Sequence, residues 1–209
     1  MNDKMYTSLE KALALPEAVT CLNLSGQNLH DVPDAVKLFP NLEYLDLSNN
    51  LIEEIPDWIG QLTQLGTLYA RSNKLTGLPE SIGDLNQLGI LDLSQNNINT
   101  LPDSLGALET LFHLILSDNQ IQTLPHTMGQ LSNLEKIDLS INEISCIPDS
   151  WSDLDQLYEL DLYRNKIDDE QRQAIDDLLP ACDVNFDEER DFYDTELSLD
   201  EEDQMDEWD

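Results

Sequence analysis

Proline recurs with a fixed 23-residue spacing along most of this chain. Asparagine keeps the same spacing, and an apolar residue opens each interval. A fixed period of roughly 20 to 50 residues is the signature of a solenoid, in which each unit buries its apolar face against its neighbours. Because three residue types share one register, we predict stacked copies of one short unit. The recurring positions are Pro33, Pro56, Pro79, Pro102, Pro125 and Pro148, with Asn50, Asn73, Asn96, Asn119, Asn142 and Asn165.

Each unit follows the consensus LxxLxLxxNx(L/I)xx(L/I)PxxIGxLxx. This consensus resembles the leucine-rich repeat. Its LP and IG pairs are similar to those of the 23-residue class found in intracellular Ras-group-related and many bacterial leucine-rich repeat proteins. The resemblance covers Val19 to Ile167, about seven units. It implies an α/β solenoid that is curved, with a parallel β-sheet on the concave face and short helical or irregular segments on the convex face.

The residue types within a unit support this architecture. Positions 1, 4 and 6 are apolar and point to the core, as Leu88, Leu91 and Leu93 do in the fourth unit. The recurring asparagine carries two donors and an acceptor on a short side chain, which suits it to satisfy the backbone where each unit turns. Proline fixes φ at about −65° on the convex side, where no sheet hydrogen bond is needed. Two positions depart from the pattern, with Gln27 replacing an asparagine and Ala70 replacing a leucine.

The sequence before the repeats predicts a helical cap over the first apolar layer. Thr7 and Glu10 have the spacing of a capping box. Leu9, Ala12 and Leu13 fall on one face of the helix that follows. A helix with a capped start and one apolar face is suited to cover the apolar core of the first repeat.

The sequence after the repeats predicts a second cap. Asp168 and Gln171 again have capping-box spacing, and Cys182, Val184 and Phe186 alternate like a final edge strand. From Asp187 onward the chain is dominated by acids, a composition that disfavours packing. This tail is interpreted as a solubilising segment, and the alternative is an acidic-hydrophobic segment that folds onto a basic partner. The predicted division is an N-terminal helical cap at 1–18, seven leucine-rich repeats at 19–167, a C-terminal cap of helix plus edge strand at 168–186, and a disordered acidic tail at 187–209.

The net charge of the chain limits the classes of ligand that it is expected to bind. The chain has 43 acids against 10 bases, a formal net charge of −33. Nucleic acid is excluded as an expected ligand because phosphate binding needs lysine and arginine. An anionic membrane surface is disfavoured for the same reason. No continuous apolar run is long enough to span a bilayer, and the N-terminus lacks the pattern of a secretion signal. Three widely separated cysteines suggest reduced thiols and a cytoplasmic location.

Enzyme chemistry finds no support in the sequence, and we predict neither a cofactor nor a metal. Neither CxxC, HExxH nor an EF-hand loop occurs. Cys21 and His113 both stand at the third position of a unit, but they are four repeats apart. At roughly 4.8 Å per strand that separation is about 19 Å, far beyond the roughly 3 Å that a nucleophile and its base require.

The candidate binding residues lie on the side of each strand that points away from the core. One apolar and aromatic group spans units two to five, and two further tyrosines follow in unit seven. Aromatic anchors on a polar face are typical of interface hot spots. The aspartates at position 5 are interpreted instead as part of the repeat pattern. The predicted partner-binding residues are Tyr44, Tyr69, Ile90, Phe112, His113, Ile115, Tyr158 and Tyr163.

These observations predict a non-enzymatic protein–protein interaction module. The family resemblance implies an intracellular adaptor or scaffold in signal transduction that binds a protein or peptide on the concave face, with a basic partner among the options. The first alternative is an acidic inhibitor or regulatory subunit that masks a basic protein surface. A second alternative is that the acidic composition is an adaptation to high salt and does not serve to bind a partner. The oligomeric state is left open by the sequence.

Overall fold

The computed structural model describes residues 4–187 and 190. Its centre is one parallel sheet of nine strands, hydrogen-bonded in chain order. The register advances by one repeat per strand from β2 to β8, as at Leu68 opposite Leu91. The predicted curved solenoid is confirmed. The strands are β1 Met5–Tyr6, β2 Cys21–Asn23, β3 Tyr44–Asp46, β4 Thr67–Tyr69, β5 Ile90–Asp92, β6 His113–Ile115, β7 Lys136–Asp138, β8 Glu159–Asp161 and β9 Asp183–Asn185.

Short 3₁₀ helices form the opposite, convex side. From the first unit onward each begins directly after the repeated proline, which serves as its N-cap residue. Proline suits this place because its φ is already fixed and it has no backbone N–H to satisfy. The helices span Pro16–Ala18, Asp34–Leu38, Asp57–Gln61, Glu80–Asp84, Asp103–Ala107, His126–Gln130 and Asp149–Asp153.

The repeated glycine allows these helices to stack closely. A Cβ placed on Gly60 would lie 2.6 Å from the backbone oxygen of Ser81 in the next unit. The same overlap, with a backbone oxygen of the next unit, arises at Gly83, Gly106 and Gly129. Since real Cβ contacts are not that short, any larger residue would push two layers apart. The IG pair of the consensus therefore sets the spacing of the convex side.

The repeated asparagine joins each unit to the one before it. Asn96 Nδ2 donates to the carbonyls of Leu93 at 2.9 Å and Ser94 at 3.1 Å within its own unit. It also donates to the carbonyl of Ala70 at 3.0 Å, while its Oδ1 accepts from the N–H of Leu75 at 3.0 Å. Both of these partners belong to the preceding unit. The asparagine ladder continues at Asn50, Asn73, Asn119, Asn142 and Asn165.

The core is one continuous cluster, mostly of leucine and isoleucine, that also contains Phe39, Met128 and Trp151. Ala70, the small residue in the leucine column, is fully buried within it. Gln27, which stands where the ladder lacks an asparagine, donates instead to the carbonyl of Thr7 at 3.1 Å. The departure in the first unit therefore ties that unit to the segment before the repeats.

The N-terminal segment differs from expectation in two details. The helix α1, Leu9–Ala12, is capped by Ser8, whose hydroxyl accepts from the N–H of Lys11. The predicted capping box at Thr7 is therefore wrong by one residue. Leu13 does not join a buried stripe but is exposed. The strand β1, which pairs with β2, has no counterpart in the sequence prediction because it lies outside the 23-residue register.

At the other end the helix α2, Asp169–Leu178, precedes β9. Asp168 is its N-cap residue and accepts from the N–H of Gln171 at 2.9 Å, as the spacing of these two residues predicts. Ile175 and Leu179 are buried against the last repeat. The predicted acidic tail at 187–209 lies outside the described residues except for Asp187 and Arg190.

Candidate functional site

The outward positions of the strands form two columns along the concave face. Position 3 runs from Cys21 to Glu159, and position 5 runs from Asn23 to Asp161, one residue per strand. Strands in a sheet lie about 4.8 Å apart, so consecutive members of a column are neighbours. The predicted site residues at positions 3 and 5 are thereby brought onto one surface, although their exposure differs sharply along it.

Two tyrosines touch in the N-terminal half of this surface. The rings of Tyr44 and Tyr69 meet edge to face, with centroids 5.6 Å apart and planes at 82°. Such a pair is a favoured aromatic arrangement. Both side chains are half-buried, and Ile90, also half-buried, follows on the next strand. These three side chains, which lie on three adjacent strands, are called the tyrosine patch. The predicted anchor Phe112, directly before β6, is half-buried as well.

Carboxylates flank the tyrosine patch. Tyr69 lies in register between Asp46 and Asp92. Burial raises the pKa of the Tyr69 hydroxyl, and the Asp92 and Asp46 carboxylates raise it further. The hydroxyl therefore stays protonated as a donor. An aromatic surface between two carboxylates suits an apolar or cationic group better than an anion.

Ile115 is a correction to the sequence-based prediction. Strand alternation predicts an exposed apolar residue, but Ile115 is 0% exposed. It lies in register between Asp92 and Asp138 on the two adjacent strands, and both of those residues are also buried. A partner cannot reach Ile115 on this surface, so it is not part of the candidate site.

His113 is buried as well, at 8% exposure, and its predicted role as an exposed anchor is wrong. Its ring packs against that of Phe112, with centroids 4.8 Å apart. Phe112 in turn covers Gly89, where a Cβ would collide with the phenyl ring. Burial lowers the pKa of His113, and the Lys136 ammonium lowers it further. At neutral pH this histidine is an uncharged packing residue.

Lys136 is the feature that sequence reasoning did not single out. Its side chain is only 5% exposed, and its Nζ lies 3.0 Å from a carboxylate oxygen of Glu159 on the next strand. The same ammonium lies 5.6 Å from the centroid of the Tyr158 ring. The sequence signal for this pair is a lysine and a glutamate at position 3 of consecutive units. The C-terminal half of the face is thus closed by a buried ion pair.

The position-5 aspartates are structural, as their place in the repeat pattern indicates. Asp92 Oδ1 accepts from the backbone N–H of Ser94 at 2.9 Å and from its hydroxyl at 2.7 Å. The same turn occurs at Asp46 and Asp138. In the first unit Asn23 makes it with a neutral amide. These side chains bond to their own backbone two residues on, which is a local Asx turn.

Two of these aspartates have carboxyl groups with raised pKa values. Burial raises the pKa of Asp138 to about 6, against the opposing effect of hydrogen bonds from Ser140 and Ser117. Burial also raises the pKa of Asp161, whose Oδ2 accepts from Asn185 at 2.9 Å. The C-terminal half of the face therefore holds carboxyls that are costly to ionise.

Tyr158 and Tyr163 are not brought into the tyrosine patch. They flank β8, three strands beyond Ile90. Tyr158 is 47% exposed, and the Tyr163 ring lies 5.1 Å from the guanidinium carbon of Arg164. They form a separate region at the end of the sheet.

Within the described residues, the candidate nucleophile and base are not brought together. Cys21 and His113 stand on β2 and β6, four strand spacings or about 19 Å apart. Burial raises the pKa of the Cys182 thiol to about 12, with the Asp183 and Glu159 carboxylates adding to the shift, so it stays a thiol. In the described part of the chain no group of three or more histidine, cysteine or acidic side chains is placed to hold a metal ion.

Within residues 4–187 and 190 no helix is long and apolar enough to cross a membrane.

Two families match the sequence. The family described as leucine-rich repeat region matches residues 71–184, more than half of the chain. The family described as leucine rich repeat matches residues 17–75. No curated protein matches.

Among solved structures, this chain is similar to the crystal structure of an internalin from Listeria monocytogenes, with a TM-score of 0.63 and 22% sequence identity. The match covers 82% of this chain and 47% of the internalin, so the chain spans about half the length of that protein. At this identity the likeness concerns the fold alone.

Proposed function

We propose that this chain, which belongs to the leucine-rich repeat family, binds a protein or peptide on the concave face of its solenoid. Domains of this family generally mediate protein–protein interaction. The observation that carries the proposal is the tyrosine patch, in which Tyr44 and Tyr69 meet edge to face while staying half-exposed. Aromatic side chains supply large contact area with few rotatable bonds, which is why they dominate interface hot spots.

The proposed role is that of an intracellular adaptor or scaffold in signalling, without catalytic activity. The cysteines support a reducing, cytoplasmic setting, since Cys146 and Cys182 are free thiols in the described structure. Cys21 in β2 and Cys182 beside β9 lie near opposite ends of the sheet, whereas a disulfide needs Cα atoms within about 7 Å.

We also propose that the repeats belong to the LPxxIGxL class. The proline that starts each 3₁₀ helix and the glycine that lets successive helices approach are the two signatures of that class. In this proposal residues 1–18 and 168–186 act as caps over the two ends of the core. Burial of Ala12 at one end and Ile175 at the other supports that role.

The experiment that tests the proposal is quantitative affinity capture from native lysate. The baits are the wild-type chain, Tyr44→Ala/Tyr69→Ala and the matched control Tyr158→Ala, which removes an exposed tyrosine at the far end of the face. We expect a specific partner to be retained by the wild type and the control and lost with the double variant. If all three baits retain the same proteins, the tyrosine patch is not the binding site.

A second candidate is an acidic inhibitor that masks a basic surface, and the net charge of −33 favours it. The same capture experiment separates the two candidates when it is repeated at high salt. Electrostatic masking weakens steeply as salt screens the charges. A partner held by the tyrosine patch is expected to survive high salt and to be lost with the tyrosines.

A further inference from the structure

Exposed apolar side chains are concentrated at the N-terminal end of the solenoid. Among the described residues, five large apolar side chains are exposed, and only Tyr158 lies elsewhere. The other four are Met5 at 45%, Leu13 at 38%, Leu15 at 65% and Leu38 at 54%. We call Leu15 and Leu38, which lie at the 3₁₀ helices of the convex side, the N-terminal apolar patch.

Leu15 and Leu38 are equivalent residues of successive layers. They are one 23-residue period apart, and the hydrogen bond from Val19 N–H to the Pro16 carbonyl recurs one period later, from Leu42 to Phe39. In the five later layers this position is occupied by short or polar residues, namely Gln61, Asp84, Ala107, Gln130 and Asp153. The repeat thus does not require leucine here, and exposed leucines at this position in two successive layers offer apolar surface that a partner could cover.

The charge around this patch differs from that of the rest of the molecule. Residues 4–41 carry three bases and four acids, whereas residues 42–187 and 190 carry seven bases and 26 acids. Lys4, Lys11 and Lys37, the three bases, are all exposed. An acidic ligand is repelled by most of this protein, and the N-terminal end is the place where the repulsion is weakest.

The chain itself contains a segment of the complementary composition. Residues 191–209 hold ten acids and no base, and their apolar residues are Phe192, Tyr193, Leu197, Leu199, Met205 and Trp208. This segment follows the opposite end of the solenoid, where Arg190 Nη1 lies 2.8 Å from Asp183 Oδ2 beside β9.

Chain length limits which of these residues can reach the patch. Eight strand spacings separate β9 from β1, about 38 Å at roughly 4.8 Å each. At about 3.3 Å per residue, Leu199 reaches only about 30 Å from Arg190, whereas Met205 and Trp208 reach about 50 and 59 Å. Only the final residues, MDEWD at 205–209, combine sufficient reach with apolar side chains and flanking acids.

We propose that residues 205–209 dock on the N-terminal apolar patch of the same molecule, with Met205 and Trp208 covering Leu15 and Leu38. Asp206, Glu207 and Asp209 then lie near Lys4, Lys11 and Lys37. The same molecule is favoured over a second copy because two chains with a net charge of −33 repel each other. A tethered segment also acts at a high effective concentration. Leu15 and Leu38 lie at the 3₁₀ helices Pro16–Ala18 and Asp34–Leu38 on the convex side, away from the concave face.

The test is fluorine NMR on the full chain labelled with 5-fluorotryptophan. Trp58, Trp151 and Trp208 give three resonances, and Trp208→Phe assigns the one from the tail. The patch variant is Leu15→Gln/Leu38→Gln, chosen to match the glutamines found at the same position in later layers. The matched control is Ala107→Gln, an exposed residue at that position in the fourth unit.

We expect the Trp208 resonance of the wild type to lie away from its position in denaturant and to move to that position in the patch variant. The control should leave it unshifted, and dilution should change nothing. A Trp208 resonance that is the same in the wild type and the patch variant overturns the proposal. A patch-dependent shift that disappears on dilution overturns it too, because the occupant is then a second copy.

A second variant guards against misfolding. Trp151 is fully buried in the core, so a change in its resonance would reveal that the leucine replacements damage the fold. In that case the proposal is tested with the variant Lys4→Gln/Lys11→Gln, because both lysines are exposed and lie outside the core. We expect this variant, and high salt, to shift Trp208 toward its denatured position. No shift under either condition overturns the proposal.

Discussion

The two halves of the concave face are built from the same repeat and yet differ in what they offer a partner. Along β3 to β5, Tyr44, Tyr69 and Ile90 remain partly open. Along β6 to β8, His113 and Lys136 are buried, and the position-5 residues are buried from Asp92 on β5 onward. The backbone is the same in both halves, so the difference comes from the side chains that each repeat places at equivalent positions.

The sizes of neighbouring side chains explain the contrast. In the N-terminal half the tyrosines stand beside Gly66, Thr67 and Gly89, which cover little. In the C-terminal half the same positions are occupied by long side chains, among which His113 and Lys136 are buried. These are Phe112, His113, Glu135, Lys136, Tyr158 and Glu159. The N-terminal half therefore keeps the partly open side chains that the proposed binding site uses, and the C-terminal half contains the Lys136–Glu159 ion pair.

The largest effect on the difference between the two halves is expected from removing the carboxylate of the Lys136–Glu159 ion pair. In Glu159→Ala the Lys136 ammonium stays buried and loses the carboxylate that lies 3.0 Å away in the wild type. Breaking a buried pair from one side costs about 3 kcal/mol of unfolding free energy. Urea unfolding monitored by circular dichroism measures the loss.

The matched control is Glu143→Ala, which breaks an exposed pair with Lys166 at 2.9 Å. Exposed pairs contribute less than about 1 kcal/mol. Adding Lys136→Met to Glu159→Ala is expected to recover most of the lost stability, because an apolar residue needs no counterion. Equal losses at Glu159 and Glu143 would show that the C-terminal half is not closed by its ion pair.

Partner binding is expected to depend on the N-terminal half of the concave face. Once a partner is identified, Tyr44→Ala/Tyr69→Ala is expected to weaken its affinity about 10- to 100-fold, or about 1.4 to 2.8 kcal/mol, through loss of the aromatic contact area. Isothermal titration calorimetry measures the change. Ile115→Val, at a fully buried position, should leave the affinity unchanged. The opposite result would place the site in the C-terminal half.

The raised pKa of Asp138 gives a pH-dependent prediction. Because its folded pKa is about 6 against an ordinary value of 3.8, the folded chain binds this proton more tightly than the unfolded chain does. Stability attributable to Asp138 therefore falls as pH rises from about 4 to 6. Asp138→Asn keeps the acceptor oxygen, as Asn23 does in the first unit, and removes this loss.

We expect Asp138→Asn to raise the unfolding free energy by about 1 to 2 kcal/mol at pH 8, and to have little effect at pH 4. Denaturant titrations at the two pH values test it. Asp46→Asn, in the half-buried N-terminal counterpart, should change stability less at both. A gain for Asp138→Asn that is the same at pH 4 and pH 8 would contradict the assignment.

The smallest expected effect concerns the turn after each strand. The residue before each ladder asparagine from the second unit onward has positive φ, and Ile141, with a φ of 54°, is the β-branched member of that column. This conformation costs a β-branched residue roughly 1 to 2 kcal/mol, and asparagine tolerates it better. Ile141→Asn is expected to raise the unfolding free energy by about 1 kcal/mol.

Asn49 already occupies the equivalent place in the N-terminal half, so the reverse change Asn49→Ile should lower stability by a similar amount. Thermal melts of both variants measure the pair. If the two changes have the same sign, side-chain packing rather than backbone conformation decides this position.

The fold could be predicted because every signal for it repeats in one register. The strands, the asparagine ladder and the proline-initiated turns all follow from the 23-residue period. The exception is β1, whose Met5 pairs with Cys21 at a separation shorter than one period. A segment outside the period leaves no repeated signal, so its pairing depends on contacts that the sequence does not display.

The candidate site could be predicted only in position, not in exposure. Sequence alternation correctly placed Ile115 and His113 on the outward columns, but both are buried. Alternation says which face a side chain takes. Whether that side chain meets solvent depends on how long its neighbours on the adjacent strands are, and on a concave surface those neighbours crowd together.

The asparagine ladder has a consequence for synthesis on the ribosome. Asn73 donates to the carbonyl of Leu47 at 3.0 Å and accepts from the N–H of Ile52 at 3.0 Å, so the turn of one unit is completed by a residue of the next. As the chain emerges, none of the first six units can finish its own turn until about 21 further residues have been translated. The growing end of the nascent solenoid is therefore always one unit short of its native hydrogen bonds.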